Sequence, residues 1–109
     1  MIKTNLEVGR LELNEYAICS FVKCGFVIDF LHDKVYYKNE DLKLNNQPRQ
    51  LLLLLLINNN KSVPTSIIKS SMGIDNNNHV AVCIYELRQK LKHITKVKKT
   101  ENGYGLFID

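Results

Sequence analysis

The most regular pattern in the chain lies near its end. Val80, Ile84, Leu87 and Leu91 recur at i, i+4, i+7 and i+11, one apolar stripe at helical period. The spacing predicts a helix opened by one of Asn76–Asn78, side chains suited to cap an N-terminus. Its opposite face carries Ala81, Val82, Tyr85, Glu86, Arg88, Gln89 and Lys92. Upstream, Leu51–Ile57 is apolar without interruption and follows Asn45-Asn46-Gln47-Pro48. Asparagine caps and first-turn proline are compatible with a helix start, so a helix is expected over 47–58, in contact with the core on more than one side. Between these two, Asn58–Pro64 reads as a loop. Thr65 or Ser66 can cap a short helix through Ser71, which Gly73 ends.

Residues 16–44 follow a different period. Tyr16–Val22, Phe26–Phe30 and Lys34–Lys38 are rich in β-branched and aromatic residues, and Gly25 and His32-Asp33 separate them as turns. A Leu42–Leu44 piece would close a small antiparallel sheet, and 1–15 forms a lead segment without a defined element. After the last helix, Ile94–Thr100 and Tyr104–Ile108 alternate around Asn102-Gly103, the signature of a β-hairpin. The order is α+β: sheet, three helices, terminal hairpin. The second and third helices meet through a Gly-containing turn, as in a helix-turn-helix with the hairpin as its wing.

The chain has 109 residues, enough for one domain with its own core, and it is read here as a single domain over 1–109. That length excludes a large barrel or a two-domain dinucleotide enzyme. The 45% hydrophobic and 24% charged fractions are those of a folded globular chain. Three cysteines, Cys19, Cys24 and Cys83, form no closed disulfide set and read as reduced thiols of a cytoplasmic protein. With His32, His79 and His93 they show no metal-ligand spacing, so neither a metal nor another cofactor is expected. No apolar run approaches the ~20 residues of a membrane-spanning helix.

Charge changes the picture more. Of fifteen basic residues, Arg88, Lys90, Lys92, Lys96, Lys98 and Lys99 lie in one window without an acid. The remainder holds nine basic against eleven acidic residues, so this window supplies more than the whole net charge of +4. A basic helix end beside a basic hairpin suits a nucleic-acid duplex; a solvated lysine face is the plainer alternative.

Val80-Ala-Val-Cys-Ile-Tyr-Glu-Leu-Arg-Gln-Lys-Leu91, followed by a basic hairpin that ends in Gly103-Tyr104, resembles the OmpR/PhoB-type winged helix. That family's pattern is Val-Asp-Val-His-Ile-x-x-Leu-Arg-x-Lys-Leu with a wing closing in Gly-Tyr, and Leu44-Asn45 is similar to its Leu-Thr helix opening. Ala81 and Cys83 stand where the family usually has Asp and His, Glu86 where a basic side chain is common, and the segment from Val97 to Tyr104 is longer than the usual wing or realigned against it. The resemblance covers Phe26 to Ile108. It implies a four-stranded N-terminal sheet, a three-helix bundle and a hairpin wing.

The same resemblance implies a transcription activator that binds double-stranded promoter DNA, often as two copies on direct repeats. By position it places Arg88 on a phosphate, Tyr85 and Glu86 toward the major groove, and Asn78 near the backbone. The outward side chains Val82, Gln89 and Lys92 complete that candidate face, with Lys98, Lys99 and Asn102 at the wing. His79 reads as a helix-start surface residue or a phosphate contact, and Tyr104 as a packed hairpin aromatic. Asn59, Asn60 and Lys61 correspond to a loop that can touch RNA polymerase. The resemblance extends to ToxR-like regulators, whose winged helix precedes a membrane anchor, so an inner-membrane full-length protein with this domain in the cytoplasm is one expectation. No Gly-rich phosphate loop, His-Glu-x-x-His or Gly-x-Ser-x-Gly is present, and an enzyme is not expected. An interaction module that keeps the fold without DNA affinity is the alternative.

Overall fold

The computed structural model of the chain describes residues 10–13 and 18–108. The β-rich half forms an antiparallel meander of β1 (Arg10–Leu13), β2 (Ile18–Lys23), β3 (Phe26–Asp29), β4 (Lys34–Tyr37) and β5 (Glu40–Asp41), paired in that order. It has five strands where the resemblance implies four, because Arg10–Leu13 pairs along β2 with a register shift between Glu12 and Leu13. The expected strand over 42–44 is absent. Its place is taken by β5, after which Lys43 adopts a positive φ of 54° and its N–H donates to Asp41 Oδ1. The part of the first expected strand at Tyr16-Ala17 lies outside the described residues, as does most of the lead segment.

Alternation places Phe26 and Ile28 on the buried face of β3, opposite Tyr37 and Val35 of β4. Asp29 closes the β3–β4 turn by accepting from the Leu31 and His32 backbone N–H groups and pairing with the His32 ring at 2.9 Å. That ring contact, first among the causes, holds the Asp29 carboxyl below its ordinary pKa.

Three helices follow: α1 (Asn46–Ile57), α2 (Thr65–Met72) and α3 (Asn77–Lys90). In α1, Leu51, Leu52, Leu55 and Leu56 are buried and Leu53 and Leu54 half-buried, so the apolar run contacts neighbours on several sides, as its pattern requires. Arg49 ties the helix start to the sheet: Nη1 donates to the Asp33 carbonyl at 3.0 Å and Nη2 to Asn46 Oδ1 at 2.9 Å. The cap of α2 differs from expectation. Pro64, in extended conformation, precedes the helix, and the Thr65 hydroxyl donates to the Asn102 carbonyl instead of capping. Gly73 terminates α2 at φ 66°, a left-handed position that suits a residue without Cβ.

The terminal hairpin is shorter than its alternation suggests, with β7 (Lys98–Lys99) and β8 (Gly103–Gly105) paired antiparallel. A third strand, β6 (Val63–Pro64) from the α1–α2 connection, pairs with the other edge of β8. Gly103 begins β8 instead of sitting in the turn. A Cβ there would lie 1.9 Å from the Val63 carbonyl oxygen, so close strand approach, not backbone freedom, requires glycine. One core joins sheet, helices and hairpin through Phe21, Phe26, the α1 leucines, Ile84, Leu87, Val97 and Leu106. Among the described residues, no helix is long and apolar enough to cross a membrane.

Candidate nucleic-acid interface

The site is built on α3. Asn76 caps it, its side chain accepting from the His79 N–H at 2.8 Å. Val80, Cys83, Ile84 and Leu87 fill the inner face, with Leu91 directly after. This fixes the rotation of the helix and turns Asn78, Ala81, Val82, Tyr85, Gln89 and Lys92 to solvent. Val82 is 53% and Tyr85 63% exposed, high values for apolar and aromatic side chains next to a continuous core.

Ahead of Arg88, two predicted residues of α3 turn toward the protein itself. His79 Nε2 pairs with Gln47 Oε1 of α1 at 2.8 Å, which pins the start of α3 to the first turn of α1. Glu86 is half-buried and lines a cleft with Leu44, Asn45, Pro48, Tyr85, Gln89 and Lys90, beside the N-terminus of α1. Its carboxylate and burial both push the Cys83 thiol up, with burial the larger cause.

At the other end of α3 the chain turns tightly, with Ile94 and Thr95 N–H groups both donating to the Leu91 carbonyl. Arg88 crosses this turn. Its Nε and Nη2 donate to the Val97 carbonyl at 3.0 and 2.8 Å, and its guanidinium carbon stands 5.9 Å from the Tyr104 ring centroid. Lys99 Nζ lies 4.8 Å from the same ring, and Lys98 Nζ lies 5.7 Å from that of Phe107. Tyr104, packed against the core, therefore holds a cation from α3 and a cation from β7 on one aromatic platform. Next to it, Arg88, Lys92, His93, Ile94, Thr95 and Lys96 line an open groove of about 500 Å³. Lys96, Thr95 and His93 belong to this surface although only their place in the basic window pointed to them.

The remaining predicted residues divide. Lys98 and Lys99 are exposed on β7. Asn102 is exposed but tied back, its Oδ1 accepting from Ser62 Oγ at 3.0 Å and its carbonyl from the Thr65 N–H at 3.0 Å. Asn59 turns inward: its amide exchanges two hydrogen bonds with the Ile108 backbone, at 2.7 and 3.0 Å. Asn60 and Lys61 remain exposed. Among the described residues, no cluster of His, Cys, Asp and Glu could hold a metal ion.

The sequence matches no protein-family model and no curated protein. The structure, in contrast, is similar to several solved ones. Against the Klebsiella pneumoniae RstA DNA-binding domain, solved in complex with the RstA box, the TM-score is 0.67 at 20% identity, covering 82% of this chain and 96% of that one. Against a streptococcal redox sensor, of a family evolved from two-component response regulators, it is 0.67 at 25% identity, covering 78% of this chain and 40% of that one. Thermotoga maritima DrrB, a response regulator and OmpR/PhoB homologue, gives 0.65 at 17% identity, with 83% of this chain and 45% of that one covered. The chain thus spans less than half the length of the last two. These likenesses establish the fold as a winged helix-turn-helix.

Proposed function

We propose that this chain is the DNA-binding module of a transcription regulator, with α3 in the major groove and the wing on adjacent phosphates. One observation carries this reading. The cations of the α3 C-terminus and of the wing form one surface, with Arg88 hydrogen-bonded across to Val97 and the open basic groove beside it. A B-form major groove admits a helix, and phosphates on its rim would meet Lys92, Lys96, Lys98 and Lys99. RstA, of similar fold, is solved in complex with its DNA box, which supports the same mode here. On promoter DNA the exposed Asn60 and Lys61 are the loop residues left to meet RNA polymerase, since the Asn59 amide is engaged with Ile108.

The test is fluorescence anisotropy on a mixed-sequence duplex at two salt concentrations. Five phosphate contacts, from Arg88 and the four lysines, give a log–log slope near −4 to −5 and a loss of roughly 500-fold in affinity between about 50 and 200 mM salt. The exposed Val82 and Tyr85 favour a second reading, a protein-interaction module. Absence of duplex binding at the lower salt would sink the DNA reading and leave that one.

A further inference from the structure

We infer that the solvent face of α3 reads A·T-rich sequence through thymine methyl groups and adenine edges. This inference rests on the DNA-binding reading proposed above. The helix carries no Arg or Lys from Asn77 to Leu87. Guanine is read in the major groove chiefly by a free bidentate Arg or by Lys. The one guanidinium on the helix, Arg88, is half-buried with its Nε and Nη2 donors on the Val97 carbonyl and its plane near Tyr104, so it is held at the wing junction, where its outer edge meets phosphate and not the base edges under the middle of the helix.

The side chains that remain outward have a different chemistry. Ala81, Val82 and Tyr85 form the middle of the exposed face at helical spacing, and the amides Asn78 and Gln89 stand at its two ends. Thymine alone presents a methyl group in the major groove, and Asn or Gln matches the N6/N7 edge of adenine. An apolar centre between amide ends therefore complements an A·T-rich half-site. The one acid on this side, Glu86, is half-buried where Tyr85 and Gln89 beside it are exposed, and it lies at the edge of the face, in the cleft that these residues form with Asn45 and Pro48 at the start of α1. Charge for affinity and shape for sequence are thus carried by different parts of the surface: lysines at the helix end and wing, methyl-reading groups on the helix.

The experiment selects preferred sites for the chain from a random duplex pool. It then measures affinity by anisotropy with each enriched thymine replaced by deoxyuridine, which removes only the methyl group. The expected result is A·T enrichment over the positions under α3 and a loss of about fourfold per contacted methyl, the worth of one buried CH₂ or CH₃ group. Val82→Ala, at an exposed position that leaves the core intact, is expected to weaken the thymine site by a similar factor and to be insensitive to the deoxyuridine it contacted. Enrichment of G·C pairs, or equal affinity for thymine and deoxyuridine sites, would overturn the inference. Salt-sensitive binding without any preferred sequence would also overturn it while leaving DNA binding in place. No binding to any duplex would overturn both.

Discussion

Arg88 has two jobs that pull on the same guanidinium. Its fork on the Val97 carbonyl joins the end of α3 to the start of the wing, and its charge belongs to the basic surface. Arg88→Ala should lower stability by about 1.5–3 kcal/mol, the range for a hydrogen bond to a charged group, and reduce the salt slope of DNA binding by about one. Arg88→Lys keeps the charge but loses the paired geometry, so a thermal melt should fall while the slope holds. An unchanged slope in the alanine variant would confine Arg88 to the fold. Cys83 offers a second check at this scale. Buried at the α1–α3 contact, with Glu86 adding its charge, its thiol is held above the ordinary range and stays protonated at mildly alkaline pH. Native protein treated with iodoacetamide near pH 8 should leave Cys83 unmodified, and urea should expose it; rapid native alkylation would contradict the packing. The sequence marked both residues by type. Their partners were invisible there, because a side chain's reach across a loop or into a neighbouring helix is decided by packing and not by local spacing.

Elements with a regular period were legible, the helices and strands β2, β3 and β4 among them, and the short strands that exist only through pairing were not. The stripe Val80, Ile84, Leu87 and Leu91 is buried throughout, and Asn76 caps its helix as its composition suggested. The Leu51–Ile57 run likewise became α1. β1 was missed because Arg-Leu-Glu-Leu is only four residues long and half charged, too short for alternation to stand out. β6 was missed for a stronger reason: Val63-Pro64 is a strand only because β8 lies beside it. Gly103 tests that pairing. Gly103→Ala places a methyl group against the Val63 carbonyl and should cost about 2–3 kcal/mol, seen as a lower urea midpoint. Unchanged stability would mean that β6 and β8 are not in close register.

On the scale of the whole molecule, the basic window predicted where the charged surface would lie, and the fold brought its two halves together as expected. The division of labour within that surface was not readable from the chain. Only the folded arrangement shows Asn59 and Asn102 turned to internal tasks and Arg88 shared between the wing junction and the surface, while Lys92, Lys96, Lys98 and Lys99 stay open to solvent. The small β6–β8 ladder has a further consequence, in the order of assembly. It joins Val63 to Tyr104 across a loop of roughly forty residues that contains both α2 and α3, a closure entropy of about 3 kcal/mol. Contacts so distant along the chain are expected to form late, after the local helices have made the intervening segment short in space. A nascent chain therefore carries its lysines before the closed wing that displays them.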